Sequence, residues 1–541
     1  MSLRRVANAL KSSGGEVAEP RTRPPYRVPI GRWVELGAGI DSWIQTHESL
    51  VLLLAIAPVT GFSLLFAWRQ PFWLDEYFVL RTVQAGSVDA VWNVLKTAPL
   101  SVDPPLYHFL TMFCVRLFGS AEFVVRLPSV LSYTLMTFLL YRFVRKYADV
   151  YAGLTVVALC LMCGTFSKAY EARPYALMLA ASAMALVCWA NVVEKRQNRT
   201  VALFGLFVAI AIAVGVHWLG FFVLVPLALG EAIRTWETHE IDTAVWLTLC
   251  VGGGTVFAYL PLLKAAAEYS AMPWKGVELA DIYMAYLFVV EPCIVALTLL
   301  TIVLATQWFS GRVSGSSLGP TLPRHILACT IFLTLSPFFG FLVGKFVTHT
   351  FHSRYGLLCT IGLISLLGLG IRYAVGQRAF FALLAVLILS AYGFAVRYAE
   401  FSGLPYGGSE SNLSRIAVFS AEPQLPIVIS DMDLFVRIDA HAPAGIRARS
   451  VYLTDRASTE ILNHNTEFLY TKAMRRWSPL PIRELSPFLD SHPDFYVAGD
   501  TAGPRDWIVR WLLKSGANLR FCGTYGATPV YRVDIQPVRE K

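Results

Sequence analysis

Apolar residues in this chain run in long blocks that short polar segments separate. About eleven of these blocks span roughly 17 to 25 residues, enough for a helix to cross the hydrocarbon core of a bilayer. The blocks cover residues 49–68, 123–143, 150–168, 174–193, 201–217, 219–234, 244–263, 292–309, 326–346, 355–371 and 379–397. The pattern predicts a polytopic α-helical membrane protein with its membrane domain over residues 49–398.

Two further apolar segments do not fit as simple spans. Residues 104–119 form a short segment that contains His108 and Arg116, which favours a helix lying at the membrane interface. Residues 278–292 would bury Glu291 at depth if they crossed the bilayer. We instead expect the next helix to begin at Pro292, because proline is favoured at the first position of a helix.

The chain becomes polar after residue 398. The segments LPIVIS and DFYVAG are typical of β-strands, DWIVRWLLKSG is typical of a helix, and LRFCGTYGATPVYRVDI follows it. Strand and helix signals that alternate over a segment of this size indicate a small α/β domain, over residues 399–541.

Composition and charge support the membrane interpretation. Hydrophobic residues make up 55% of the chain, charged residues only 15%, and the mean hydropathy is +0.52. The net charge of +9 does not indicate nucleic-acid binding, because the basic residues form short clusters between apolar blocks. These clusters predict which loops are cytoplasmic. The basic clusters are Arg142, Arg145 and Lys146; Lys195, Arg196 and Arg199; Arg312 and Arg324; and Arg372 and Arg378.

The predicted topology places the basic segment 1–48 in the cytoplasm as a tail, and the first outer loop at 69–122. An odd number of spans then puts the C-terminal domain outside. Acidic and basic residues converge on the same outer face. They are Asp75, Glu76, Asp103, Glu171, Arg173, His217, Lys264, Lys275, Lys345, His349, His352 and Arg354.

The adjacent acids Asp75 and Glu76 are the first candidate for chemistry. Such a pair often lies in a solvated loop, but here Trp73 and Leu74 precede it and Tyr77 and Phe78 follow, which indicates a partly buried turn. Burial raises the pKa of a carboxyl group and suits it to proton abstraction.

Each remaining candidate has a structural alternative. Glu171 and Arg173 could be an ion pair that ties two helix ends together. His217 could be an interfacial histidine in an aromatic belt. The basic loop from Lys345 to Arg354 suits an anionic phosphate, although both end residues could also snorkel to lipid headgroups. Asp431 and Asp433, in VISDMDLF, could suggest a metal or nucleotide site, and we interpret them as a turn.

Several motifs resemble those of a known family. The segments WLDEYFVLRTVQAG, DPPLYHFLTMFCVRLFGSAEFVVRLPSVL and YEARPYAL, in this order, are similar to the opening of bacterial GT-C glycosyltransferases. That superfamily includes protein O-mannosyltransferases, aminoarabinose transferases and galacturonosyltransferase-like enzymes. SRYGLLCTIGLISLLG is similar to an arginine–tyrosine motif that opens a late helix in them. The resemblance is strong over residues 49–200, weaker to about 375, and absent in the C-terminal domain.

The resemblance implies an inverting glycosyltransferase of the bacterial inner membrane. It would transfer a sugar from a polyprenyl-phosphate donor to an extracytoplasmic glycan, lipid or protein. Asp75 matches the catalytic acid of the first loop and would act as the base, with Glu76 beside it. The residues expected to bind the donor phosphate are Arg354, Lys345, His352 and Tyr355, and those expected to support the site are Asp103, His108, Glu171, Arg173 and His217.

One departure from the family concerns Asp103, which stands where many relatives have a histidine before the paired prolines. This acid could recruit a divalent cation together with His108 or His217, but we predict no obligatory metal or cofactor. A lipid or glycolipid transporter and a non-catalytic envelope-assembly protein are the alternatives. Transporters tend to carry ionisable residues at the midplane of repeated halves, whereas this chain gathers them at one surface.

Overall fold

A computed structural model provides the architecture of the protein. It describes residues 39–194, 198–270, 277–294, 322–349, 351–375, 379–404, 417–419, 422–463 and 466–534, together with 298, 301, 302 and 305. Most of the predicted cytoplasmic tail and most of the predicted span 292–309 lie outside the described residues. So do Lys195, Arg196, Lys275, Arg312 and Arg378.

The membrane domain is helical throughout its described part. Its helices are α1 (Glu48–Arg69), α2 (Leu74–Val83), α3 (Val88–Thr97), α4 (Leu106–Phe118), α5 (Glu122–Tyr147), α6 (Val150–Met162), α7 (Tyr175–Val193), α8 (Arg199–Val216), α9 (Leu224–Thr238), α10 (Thr243–Gly254), α11 (Leu260–Ser270), α12 (Ala280–Val290), α13 (Arg324–Thr334), α14 (Ser336–Val343), α15 (Cys359–Val375) and α16 (Ala379–Gly403).

Within the described residues, seven helices are long and apolar enough to cross a membrane, or eight if α13 and the bent segment after it count as one span. The predicted blocks 150–168 and 355–371 hold the shorter apolar helices α6 and α15, and block 326–346 is bent by 48°. The chain is an integral membrane protein, as its composition predicts. The count of eleven spans stays a prediction.

The break after α6 shapes the loop that carries Glu171 and Arg173. The chain leaves α6 at Cys163 and makes a 3₁₀ turn over Gly164–Ala169. At Gly164 a Cβ atom would lie 1.8 Å from the carbonyl oxygen of Phe288 in α12, so only glycine fits there. This close approach fixes where the loop lies before α7 begins at Tyr175.

The predicted interfacial segment is helix α4. It starts after Pro105 and ends at Gly119, whose φ of +88° favours glycine. One side of α4 is buried, including Tyr107 and His108, while Phe113 and Phe118 are exposed. The buried side faces the membrane domain and carries one of the predicted site residues.

The C-terminal part contains a six-stranded mixed sheet in the order β3-β2-β1-β4-β6-β5. Its strands are β1 (Ile427–Ile429), β2 (Ser450–Thr454), β3 (Ile482–Glu484), β4 (Asp494–Ala498), β5 (Asn518–Tyr525) and β6 (Thr528–Asp534). Strands β1 to β4 pair in parallel, and β5 and β6 form an antiparallel hairpin. The helices are α17 (Met432–His441), α18 (Ala444–Arg447), α19 (Ala457–Leu462), α20 (Thr466–Trp477), α21 (Leu485–Ser491) and α22 (Trp507–Lys514).

The predicted α/β character of this part is confirmed. LPIVIS contains β1, DFYVAG contains β4, and DWIVRWLLKSG contains α22. The sheet does not stand apart from the membrane domain. Leu74, Tyr77 and Phe78 of α2 belong to the same buried apolar cluster as Phe435 and Tyr470 of the C-terminal part. The C-terminal part therefore packs directly on the loop that carries Asp75.

Candidate active site

The predicted base, Asp75, lies in the first turn of α2. Its Oδ2 atom is 3.1 Å from Nη1 of Arg173, and its side chain is 22% exposed. Among the described residues its Oδ1 atom makes no hydrogen bond. Asp75 is thus oriented through one oxygen while the other is open to a ligand.

Arg173 connects Asp75 to Asp103. Its Nη2 atom is 3.7 Å from Oδ2 of Asp103, and it also donates a hydrogen bond to the Tyr175 hydroxyl at 3.3 Å. Its buried Nε–H has no acceptor within the described part of the chain. This donor lies inside the protein, out of contact with solvent.

Asp103 is held on several sides. Ser101 donates a hydrogen bond to it at 2.7 Å, and Nε2 of His217 lies 3.3 Å from its Oδ1 atom. Burial alone would raise the pKa of Asp103, but His217, Arg173 and Ser101 together lower it. The carboxylate stays ionised and helps to neutralise Arg173.

His217 is neutral at physiological pH. Burial lowers its pKa to about 4, although the charge of Asp103 acts in the opposite direction. Its Nδ1 atom accepts the backbone N–H of Leu219 at 3.0 Å, so the proton sits on Nε2 and points to Asp103. Nearby His108 is buried, and neither of its ring nitrogens has a hydrogen-bond partner among the described residues.

Glu76 points away from Asp75 into a buried ion pair. Its carboxylate accepts two hydrogen bonds from Arg126, at 2.7 and 2.5 Å, and its side chain is only 1% exposed. It also accepts the backbone N–H groups of Ala172 at 2.7 Å and Trp73 at 3.3 Å. With these oxygens occupied, the position favours a structural role for Glu76 rather than the catalytic role expected for it.

Glu171 pairs with Lys168, at 2.5 Å between Oε2 and Nζ. This arrangement matches the structural alternative of an ion pair in the loop, although with Lys168 in place of Arg173. The Lys168 ammonium also lies over the Tyr175 ring, 5.5 Å from its centroid. Glu171 therefore borders the Asp75 cluster rather than joining it.

Arg354 approaches the cluster from the late basic loop. Interactions with Tyr175 and Asp75 raise its pKa, against its own burial and the like charge of Arg173. Its guanidinium makes no hydrogen bond or ion pair within the described residues. It is a half-buried cation within electrostatic range of Asp75 and Arg173.

The other predicted phosphate ligands are placed differently. His352 is close enough to Arg354 and Asp75 for their charges to act on it, and burial lowers its pKa to about 4. Tyr355 packs edge-on against the His352 ring. Lys345 is exposed, with its ammonium 5.7 Å from the centroid of the Phe341 ring, and no described contact joins it to the cluster.

Three residues that contact the site residues were not predicted from the sequence. Tyr175 contacts Arg173, Lys168 and the His217 ring, whose centroid is 5.2 Å away. Lys168 holds Glu171, and Arg126 holds Glu76. A signal was available for Arg126, because a charged residue inside a membrane-length apolar segment needs a partner.

The side chains around Asp103 can be compared with the ligands that a divalent cation needs, and the absence of an obligatory metal stays a prediction. The described residues contain no group of three or more His, Cys, Asp or Glu arranged to hold a metal ion. The oxygens of Asp103 are engaged by Arg173, Ser101 and the His217 ring. These donors fit an ion-pair network better than a divalent cation.

A cavity of about 510 Å³ lies between α1, α12 and α16. Tyr170, Glu291, Arg397 and Glu400 contribute polar groups to its wall. Arg397 is already bound to Glu400 at 2.5 Å and to backbone carbonyls of α6. The cavity contains none of the predicted catalytic or phosphate-binding residues.

Comparison with known proteins identifies the architecture. Two crystal structures of ArnT from Cupriavidus metallidurans are similar to this chain. The apo structure aligns with a TM-score of 0.57 at 12% identity, covering 90% of this chain and 98% of that one. The structure bound to undecaprenyl phosphate gives a TM-score of 0.54 at 13% identity, with the same coverage. The chain has the GT-C fold.

The family comparison agrees with the GT-C fold. Residues 102–260 match the family model described as dolichyl-phosphate-mannose-protein mannosyltransferase. No curated protein sequence matches the chain. The matched segment contains Asp103, Arg173 and His217, while Asp75 and Arg354 lie on either side of it. The GT-C fold thus brings together residues from the matched segment and from both flanks.

Proposed function

We propose that this GT-C protein is an inverting glycosyltransferase that uses a polyprenyl-phosphate sugar as donor and Asp75 as the general base. The observation that carries the proposal is the pairing of an accessible carboxylate with an unpaired cation. Asp75 has one open oxygen, and Arg354 lies close to it with no internal acceptor among the described residues. One group suits proton removal and the other suits an anionic leaving group.

The reaction assigns a task to each group. An open oxygen of Asp75 takes the proton of an acceptor hydroxyl, and the acceptor oxygen forms a bond to the anomeric carbon of the donor sugar. The bond from that carbon to the lipid phosphate breaks on the opposite face, so the configuration inverts. Arg354 meets the negative charge that remains on the leaving phosphate.

Binding of undecaprenyl phosphate by ArnT, a protein of the same fold, supports a polyprenyl phosphate as the lipid part of the donor. The basic clusters in the predicted cytoplasmic loops support an active site on the extracytoplasmic face of a bacterial inner membrane. An envelope glycan, lipid or protein would then be the acceptor. Transport of a glycolipid is the alternative function that the following experiment can distinguish.

The test is transfer by purified Asp75→Asn protein from a synthetic polyprenyl-phosphate sugar. The amide preserves the shape of the side chain but cannot take the proton, so we expect turnover to fall by about 10²–10⁴-fold while donor binding persists. Asp89→Asn, at an exposed acid on the neighbouring helix α3, is the matched control and should leave turnover unchanged. Near-normal turnover by a folded Asp75→Asn protein would refute the assignment of Asp75 as the base, and absence of transfer by the parent protein would favour transport.

A further inference from the structure

Helix α2, which carries Asp75, receives a hydrogen bond from the C-terminal part of the chain. The backbone N–H of Leu74, the first residue of α2, donates to Oδ1 of Asp433 at 2.6 Å. Asp433 lies in the first turn of α17, so 359 residues of sequence separate the two partners. Leu74 is adjacent to Asp75, and the contact therefore acts on the backbone next to the proposed base.

This contact adds an acceptor to the cap of α2. The first backbone N–H groups of a helix have no partner within the helix and need acceptors from outside. At α2 the N–H of Trp73 donates to the Glu76 carboxylate, and those of Glu76 and Tyr77 donate to the Trp73 carbonyl. Asp433 supplies the acceptor for Leu74. A negative charge there also interacts favourably with the positive end of the helix dipole.

The segment VISDMDLF, which we expected to form a turn, begins helix α17. Its two aspartates make different contacts. Asp431 caps α17 itself, by accepting the backbone N–H of Leu434 at 2.9 Å. Asp433 extends away from α17 and is held by Arg437, at 2.6 Å between Oδ2 and Nη2. The carboxylate that reaches α2 is therefore fixed from its own helix.

Other contacts join the C-terminal part to the same loop. At the far end of α2, Arg81 pairs with Asp439 of α17 at 3.5 Å. The Phe78 ring packs on Tyr470, with 5.2 Å between the centroids. Beyond α3, the Trp477 indole donates to the carbonyl of Ala98 at 3.1 Å. Helix α2 is thus anchored at both ends, and among the described residues Asp433 supplies the hydrogen bond from the C-terminal part to the turn that holds Asp75.

We propose that Asp433 is a positioning residue for the reaction, and that one task of the C-terminal domain is to fix the first turn of α2. The proposal rests on the proposed function, since it takes Asp75 as the base. Asp433 does not touch the reacting groups. It acts through the backbone, which sets the direction of the Asp75 side chain toward Arg173 and the open side of the site. A small misplacement of a reacting group lowers the rate strongly.

The test compares Asp433→Ala, Asp433→Asn and Asp439→Ala in the full-length enzyme. Turnover and the KM for the donor are measured, together with hydrogen–deuterium exchange of the peptide that covers residues 72–78. Asp433→Ala should lower kcat by roughly ten- to a hundredfold with little change in KM, and should speed exchange at the start of α2. Asp433→Asn should recover part of both, because its amide oxygen can still accept the hydrogen bond.

Asp439→Ala is the matched control, because it loosens the same two helices at the end of α2 away from Asp75. It should leave kcat within about twofold of the parent, since surface ion pairs contribute little. Equal losses of kcat in Asp433→Ala and Asp439→Ala would overturn the proposal in favour of general domain docking. Unchanged kcat in Asp433→Ala, or unchanged exchange at residues 72–78, would also overturn it.

Two further results keep the test decisive. If Asp433→Ala does not fold, Arg437→Ala replaces it, because this change frees the Asp433 carboxylate while leaving it present. In Arg437→Ala, faster exchange at the start of α2 and a fall in kcat smaller than that expected for Asp433→Ala would support the proposal. No change in exchange or in kcat would overturn it. Failure of the proposed function is seen separately, as full activity of Asp75→Asn, whereas the exchange measurement depends only on the cap.

Discussion

Replacing Arg126 by methionine should destabilise the protein more than any single substitution at the exposed edge of the site. Arg126 is 2% exposed and donates two hydrogen bonds to the Glu76 carboxylate. It also donates to the backbone carbonyls of Ala67, Gln70 and Pro71, where helix α1 ends. Methionine has a similar length but no donors, so Arg126→Met removes all of these interactions together.

The structure sets the expected magnitude. Removing one partner of a buried ion pair typically costs about 3–5 kcal/mol, because the remaining charge is left without compensation. Glu76→Gln should cost less, about 1–3 kcal/mol, since the amide oxygen still accepts and Arg126 keeps its three carbonyls. The double variant should lose less than the sum of the two single losses. We expect a coupling free energy of at least about 1 kcal/mol between the two residues.

The free energy of unfolding can be measured by denaturant titration in detergent micelles, with tryptophan fluorescence as the signal. The order expected is parent, then Glu76→Gln, then Arg126→Met, from most to least stable. Turnover of Glu76→Gln, measured where the variant remains folded, should stay much closer to the parent than that of Asp75→Asn. Additive losses in the double variant, or an Arg126→Met protein as stable as the parent, would refute the structural role assigned to this pair.

Three other expectations can be checked directly. Reporter fusions after residue 398 should place the C-terminal domain outside the cytoplasm, and a cytoplasmic result would overturn the predicted topology. Arg354→Ala should weaken donor binding in calorimetry far more than acceptor binding, because it removes the cation that we propose for the donor phosphate, and equal effects would indicate a structural role. Burial raises the pKa of Glu467 to about 8, from an unfolded value of 4.5. The contribution of Glu467 to stability is therefore complete below the unfolded pKa, and it is lost as the pH rises through about 8. Thermal unfolding between about pH 5 and pH 9 should show this loss, and Glu467→Gln should flatten the curve.

The sequence predicted the fold class because hydrophobic length is a strong local signal. A block such as 123–143 must cross the membrane or be buried, and it lies within helix α5. Breaks within the blocks were harder to foresee. Nothing in the apolar pattern of residues 150–168 indicates that α6 ends at Met162, or that Gly164 just beyond it approaches the carbonyl of Phe288, more than 100 residues away.

Residue types indicated which side chains belong to the site, but not their pairing. Asp75, Asp103, Arg173 and His217 were predicted as a group, and the structure brings them together. Sequence could not separate the roles of Asp75 and Glu76, because adjacent residues in a helix point in directions about 100° apart and only the fold decides which meets Arg126. The contact of Asp433 with Leu74 likewise depends on domain packing, which no local pattern records.

The contacts of each arginine also decide which of these side chains remains available to bind a phosphate. A basic residue on the predicted outer face invites interpretation as a phosphate ligand, because such residues should be scarce there. Three arginines at the Asp75 end of the helices have another explanation, since they bind the carbonyls that helix C-termini leave without partners. Arg126 caps α1, Arg397 caps α6 through the carbonyls of residues 161–163, and Arg69 caps α16 through those of Phe401 and Leu404. Arg354 has no such acceptor among the described residues, and this difference, rather than its charge alone, supports its assignment to the donor phosphate.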